Sequence, residues 1–107
     1  MLTKFEIKKK ILSYFLPNQL LFDDDYFDGN NHTILWISIN KINKEIKDLK
    51  KRLSLYNLSE YFIVKQLPDR KIGNNYIAMF FGFSSLGMEK INEIYAICKL
   101  RDPTCLN

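Results

Sequence analysis

The most apolar stretch of the chain is Tyr76-Ile77-Ala78-Met79-Phe80-Phe81-Gly82-Phe83, which continues through Ser84-Ser85 into a predicted helix that ends near Leu100. A strand whose two faces both prefer to leave water belongs in the middle of a sheet rather than at its edge. The rest of the chain must therefore supply the neighbouring strands and the helices that cover this strand.

Composition places the chain among globular proteins with a single domain. It has 107 residues, of which 47% are hydrophobic and 26% charged, and this length is enough for one core. No run of eighteen apolar residues occurs, which argues against a membrane-spanning helix, and nothing resembles a signal peptide. We therefore predict one cytoplasmic domain over 1–107, without contact to a membrane, in which residues 101–107 form a flexible tail.

Helical patterns occur in three places. Thr3-Lys4-Phe5-Glu6 matches the capping box, which predicts a helix that begins here and ends before Pro17. A second helix is predicted from Lys41 to Leu55, with Asn40 as its N-cap and Asn57 as its left-handed stop; its apolar stripe consists of Ile42, Ile46, Leu49 and Leu53. The third helix is predicted over 86–100, with the following residues facing inward: Leu86, Ile91, Ile94, Tyr95 and Cys98.

Alternating apolar residues predict strands at His32–Ile39, Glu60–Gln66 and Asn75–Phe83. Gln19–Phe22 is a candidate for a short edge strand, and the Asp- and Asn-rich residues 23–31 indicate a loop. A hairpin loop is predicted over Pro68–Asn75, where Gly73-Asn74 tolerates positive φ.

This order of elements, α-(β)-β-α-β-β-α, predicts the α+β fold class. The expected architecture is a two-layer sandwich in which an antiparallel sheet of three or four strands has its helices packed on one face, as in ferredoxin-like or related folds. Alternation assigns to the helix-facing side Leu35, Ile37, Phe62, Val64, Ile77, Met79, Phe81 and Phe83. It assigns to the opposite side Trp36, Tyr61, Ile63, Tyr76, Ala78 and Phe80, a face that is either exposed or covered by the N-terminal helix.

Two surfaces are candidates for binding. Residues 41–52 contain six lysines or arginines against two acidic residues, in a chain of net charge +4. Such a cluster is typical either of a solvated helix face or of a surface for nucleic acid or an acidic partner; its candidate residues are Lys44, Lys47, Lys50, Lys51 and Arg52. The second surface is the aromatic side of the sheet, which would stack bases or contact a protein; its candidate residues are Trp36, Tyr61, Tyr76 and Phe80.

The layout from strand 33–39 to helix 86–100 is similar to the core of ferredoxin-like domains, which include the RNA recognition motif. In that family an aromatic central strand stacks bases. Phe80-Phe81-Gly82-Phe83 matches the end of the family's strand motif, whereas the motif's Lys/Arg and first glycine have no counterpart here. The order αββαββα also resembles half of a LAGLIDADG homing endonuclease, in which Phe27-Asp28-Gly29 would correspond to the metal-binding end of the first helix.

Catalytic and metal-binding motifs are not found in the sequence. His32 has no cysteine or serine at a spacing that indicates a nucleophile, and the cluster from Asp23 to Asp28 fails the pattern of a calcium loop because Leu35 stands where a bidentate glutamate is needed. We therefore predict no cofactor, no metal and no catalytic residue. A metal-dependent nuclease that uses Asp25 and Asp28 remains a third alternative.

Two functions follow from these observations. The first is a small, basic, non-enzymatic module that binds RNA or DNA through the basic helix, the aromatic sheet face or both. The alternative is a protein-binding inhibitor, antitoxin or anti-defence protein of a virus or mobile element, whose aromatic face contacts a protein partner or a second copy of the chain in a homodimer.

Overall fold

The computed structural model describes residues 3–16 and 31–101, with side chains described as far as residue 97. The predicted edge strand 19–22, the acidic cluster 23–28, Phe27-Asp28-Gly29, the side chain of Cys98 and the tail 102–107 lie outside these limits. The described elements follow the order α-β-α-β-β-α, namely α1 (Lys4–Tyr14), β1 (His32–Ser38), α2 (Ile42–Leu55), a 3-10 turn (Ser59–Tyr61), β2 (Phe62–Ile72), β3 (Tyr76–Phe83) and α3 (Ser85–Arg101).

The three strands form an antiparallel sheet in the order β1-β3-β2, with the apolar strand β3 in the centre. Thr33 and Val64 both pair with Phe81 from opposite sides. β1 and β2 therefore run parallel to each other on either side of β3, connected through α2, which is the split βαβ arrangement of ferredoxin-like folds. The predicted α+β class and the central position of β3 are confirmed.

All three helices pack on one face of the sheet, which we call the inner face. One buried cluster joins the sheet to the three helices, through Leu12 of α1 and its C-cap Phe15, Leu49 and Leu53 of α2, and Ile91 of α3. The strands contribute Leu35, Ile37, Val64, Ile77, Met79, Phe81 and Phe83. Phe62, which is partly buried, packs against the same cluster. The inner-face assignment is confirmed, and the fold is a two-layer sandwich.

The predicted cap of α1 is confirmed, whereas that of α2 is wrong. The Thr3 hydroxyl accepts a hydrogen bond from the Glu6 amide at 3.1 Å. For α2 the N-cap position is occupied by Lys41, without a side-chain cap, because the Lys41 amide donates to the Ser38 carbonyl and places Asn40 inside that turn. Asn57 follows α2 with φ of 58°, as the prediction required.

The hairpin differs from its prediction. β2 extends to Ile72, and only Gly73, at φ of 57°, and the next two residues form the turn to β3. The residues between Leu67 and Lys71 have no partner on β3 and form a bulge. Proline is tolerated in such a bulge because no ladder hydrogen bond is required of it, and so Pro68 does not end the strand as the sequence predicted.

The opposite face of the sheet, which we call the outer face, is only partly open. Ile34 and Ala78 are fully buried, and Trp36 and Phe80 are half-buried. Tyr76 at one end of this face is 47% exposed. The outer face is therefore not the fully exposed aromatic platform that strand alternation suggests.

Candidate functional site

The basic helix α2 carries its lysines on the side opposite its buried residues. Residues three or four positions apart are neighbours on a helix surface, so Lys44, Lys47 and Lys51 form one row, which we call the lysine stripe. All three side chains are exposed, as is that of Lys50 beside the stripe. At 1.5 Å per residue the stripe spans about 10 Å along the helix axis.

Four lysines of α2 have no partner among the described residues. In the described part of the chain, the side chains of Lys44, Lys47, Lys50 and Lys51 have neither a hydrogen bond nor an ion pair. Each ammonium group is therefore available to an external anion. Their mutual repulsion is relieved when such an anion binds.

Arg52 has a different role from the four lysines. It is half-buried, and its Nε donates a hydrogen bond to the carbonyl oxygen of Phe15 at 3.1 Å. A cation at this place is favourable because the carbonyl groups at a helix C-terminus carry partial negative charge. Arg52 thus links α2 to the end of α1, and we do not include it among the residues available for binding.

The aromatic candidates do not share one surface. Trp36, Tyr76 and Phe80 lie on the outer face of the sheet, in accordance with strand alternation. Tyr61 does not, because it belongs to the 3-10 turn before β2 and borders a cavity beside α1 and α3. The placement of Tyr61 on the outer face is therefore wrong.

Phe80 is the centre of a polar and aromatic cluster that the sequence did not reveal. The His32 ring stacks on it with centroids 4.5 Å apart, and the Lys65 ammonium lies 5.2 Å from the Phe80 centroid. Lys65 and Phe80 are directly paired across the sheet, and His32 lies diagonally opposite Phe80 on the same face. The period of two in a strand already places His32 and Trp36 on the same side of β1. What the sequence does not show is the pairing between strands, which brings His32 and Lys65 next to Phe80. The contacts cover part of the Phe80 ring that a base would otherwise stack on.

The two candidate surfaces lie on opposite layers of the sandwich. The lysine stripe lies on the solvent-facing side of the helical layer, and Trp36, Tyr76 and Phe80 lie on the outer face of the sheet.

Within the described residues no group of three or more histidine, cysteine or acidic side chains is placed to hold a metal ion, and no helix is long and apolar enough to cross a membrane. No protein-family model, curated protein or solved structure matches this chain.

Lys8 is the one charged side chain of α1 that is buried, at 7% exposure. Its Nζ donates to Asn31 Oδ1 at 2.8 Å. Burial of the ammonium, together with repulsion from Lys4, lowers the pKa of Lys8 from its usual 10.5. The folded protein therefore releases the Lys8 proton at a lower pH than the unfolded chain does. As the pH rises from the pKa of the folded state to that of the unfolded state, the free energy of unfolding increases, because the buried charge is removed.

We expect the Lys8→Met variant to lack this pH dependence. Between pH 8 and pH 10 the free energy of unfolding of the wild type should rise relative to that of the variant. Urea denaturation of both proteins at the two pH values measures this difference, and the subtraction removes the contribution of the tyrosines. A difference that stays constant or falls with pH would contradict the assignment.

Proposed function

We propose that this protein is a small non-enzymatic module that binds nucleic acid through the lysine stripe of α2 and Lys50. The observation that carries the proposal is the row of exposed ammonium groups, without partners in the described part of the chain, on the side of α2 that faces away from the core. An array of this kind matches the phosphate backbone, which presents one charge per strand about every 3.4 Å along a duplex. The stripe is thus long enough to contact about three successive phosphates.

The composition of the surface favours contacts to phosphates over contacts to bases. Lysine ammonium groups act as point charges and carry little sequence information when they contact the backbone. The aromatic residues that would stack on bases lie on the other layer, so a ligand on α2 does not reach them. We therefore propose binding without strong sequence preference, in which a duplex binds at least as well as a single strand.

The salt dependence of binding tests the proposal directly. Four phosphate contacts give a slope of roughly −3.6 in a plot of log affinity against log salt concentration. Between 50 and 200 mM salt the affinity for a labelled 20-base-pair duplex should then fall about 150-fold. Fluorescence anisotropy measures both values, and absence of binding at 50 mM salt would refute the proposal.

A matched pair of variants locates the surface. In Lys47→Ala/Lys51→Ala we expect the slope to decrease to roughly −1.8, because two contacts are lost, while alanine preserves the helix. In the control Arg70→Ala/Lys71→Ala the same net charge is removed from exposed positions of β2, and the slope should stay near the wild-type value. Equal losses in both variants would show that net charge, rather than the lysine stripe, determines affinity.

One further variant separates α2 from the outer face of the sheet. Tyr76 is the most exposed of the aromatic residues there, and its replacement by alanine leaves the core intact. We expect Tyr76→Ala to bind the duplex within twofold of the wild type. A tenfold or larger loss would place the ligand on the outer face instead.

A further inference from the structure

We infer that a groove between α1, α3 and the 3-10 turn binds an acidic amphipathic helix of a protein partner. The groove encloses a cavity of about 440 Å³, a volume within the range of binding pockets in proteins. Its walls include Ile11 and Tyr14 of α1 and Ile91 of α3, and its floor includes Phe62 and Phe83. This surface lies apart from the lysine stripe and does not depend on the function proposed above.

Three exposed apolar residues of α3 lie, by helical spacing, on the same side of the helix as Lys90, which borders the groove. Leu86, Ile94 and Ile97 are 49%, 41% and 52% exposed, although the sequence predicts Leu86 and Ile94 to face the core. Ile94 lies one turn after Lys90 and Ile91 on the groove side of the helix. From Leu86 to Ile97 the surface is about 16 Å long, or three helical turns. A helix that is apolar on its outer as well as its inner side is typically covered on both sides.

The charges around the groove indicate the character of its occupant. Lys10 and Lys90 border it, and no aspartate or glutamate is among the described residues that line it. Within the described residues the Lys10 ammonium has no hydrogen bond or ion pair, and Lys90 contacts only the exposed Glu93 at 3.4 Å. Such an exposed pair contributes little and is readily exchanged for a new partner.

These features favour one class of occupant over a second copy of the chain. An amphipathic helix lays residues at i, i+4 and i+7 into an apolar groove of three turns, and acidic residues beside that face would meet Lys10 and Lys90. A second copy would bring another net charge of +4 to a border that is already basic, which opposes association. The charge of the groove therefore indicates an acidic helical segment.

Two synthetic peptides of 18 residues test the inference. Both carry the same leucines at i, i+4 and i+7, and the flanking positions are glutamate in one peptide and lysine in the other. We expect the labelled acidic peptide to bind with micromolar affinity at 150 mM salt and the basic peptide to bind at least tenfold more weakly. Fluorescence anisotropy measures both, and perturbation of the Ile91 and Ile94 methyl signals in NMR spectra places the peptide in the groove.

Variants distinguish the apolar from the electrostatic contribution. Ile94→Asp and Tyr14→Ser, at positions 41% and 73% exposed, should each weaken the acidic peptide at least fivefold, and circular dichroism verifies that they fold. Lys10→Glu/Lys90→Glu should reverse the preference between the peptides. The control Lys47→Ala/Lys51→Ala should leave peptide affinity within twofold, because at this ionic strength charges on another surface are screened within about 8 Å.

Three results would overturn the inference. Equal affinity for the two peptides would exclude a charge-selective groove, and full binding by folded Ile94→Asp and Tyr14→Ser would place the peptide elsewhere. A doubling of mass with concentration in sedimentation experiments, abolished by Ile94→Asp, would show that a second copy occupies the groove. None of these results depends on whether the protein binds nucleic acid.

Discussion

Replacement of Phe81 by alanine will remove about 3–5 kcal/mol from the free energy of unfolding, the range for deletion of a buried phenylalanine. Phe81 is fully buried in the central strand, paired with both neighbouring strands, and its ring centroid lies 5.5 Å from that of Phe62. Small domains are stable by only about 5–15 kcal/mol. The variant is therefore expected to be partly or largely unfolded at 37 °C.

Urea denaturation followed by circular dichroism measures the loss. A suitable control is Ile63→Ala, since Ile63 pairs with Gly82, the residue after Phe81, lies on the outer face and is 40% exposed. It should cost about 1 kcal/mol or less, because less apolar surface is removed from contact. A loss below 1 kcal/mol for Phe81→Ala would mean that β3 is not the centre of the core.

The second large effect is expected at Gly87, where alanine should destabilise the protein by about 1–3 kcal/mol, the range for overpacking. A Cβ atom at this position of α3 would collide with the carbonyl oxygen of Tyr61 and would also lie 3.1 Å from the Tyr61 carbonyl carbon. The obstacle is backbone that cannot rotate away. In an unobstructed helix the same substitution would stabilise by up to about 1 kcal/mol, so the sign of the effect is diagnostic.

The contact at Gly87 is reinforced by hydrogen bonds at the start of α3. The Ser84 hydroxyl accepts from the Gly87 amide at 3.1 Å and donates to the Glu60 carbonyl at 2.6 Å. The helix therefore has little freedom to move away from the 3-10 turn. Thermal and urea denaturation of Gly87→Ala should be compared with Glu89→Ala, an exposed change in the same turn that should shift stability by less than about 0.5 kcal/mol. Stabilisation by Gly87→Ala would show that α3 does not contact the turn.

Local patterns were sufficient for much of the fold. The apolar spacing from Ile42 to Leu53 defines α2, and the continuous apolar run of β3 places that strand in the centre, because both signals depend on neighbours in sequence. The left-handed residue Asn57 and the cap at Thr3 were predictable for the same reason.

The remaining features depend on contacts between distant residues. The length of β2 follows from pairing across a bulge at Pro68, and Tyr61 leaves the outer face because its segment forms a 3-10 turn against α3. Periodicity alone also assigned Leu86, Ile91 and Ile94 to the core, where Ile91 is buried but Leu86 and Ile94 are 49% and 41% exposed. The spacing of apolar residues did not separate the side of α3 that faces the core from the side that stays exposed.

The binding surfaces also combine features that one segment of sequence determines with features that depend on contacts between distant residues. The lysines of α2 and their exposure were predictable from one helical segment, and their role in binding nucleic acid stays a prediction. The bond from Arg52 to Phe15 and the contacts of Phe80 with His32 and Lys65 join residues that are far apart in sequence. Only the register of the strands and the packing of the helices reveal them.

The strand order β1-β3-β2 also has a consequence for how the chain folds as it is synthesised. β2 and β3 are joined by a tight turn and can pair as a hairpin soon after both have emerged, whereas β1 precedes its partner β3 by more than forty residues. At a synthesis rate of 5–20 residues per second, β1 waits roughly 2–9 s for that partner. During this interval Ile34, Leu35, Trp36 and Ile37 form an unpaired apolar segment. We therefore expect the nascent chain to depend on chaperones until β3 has emerged and paired with β1.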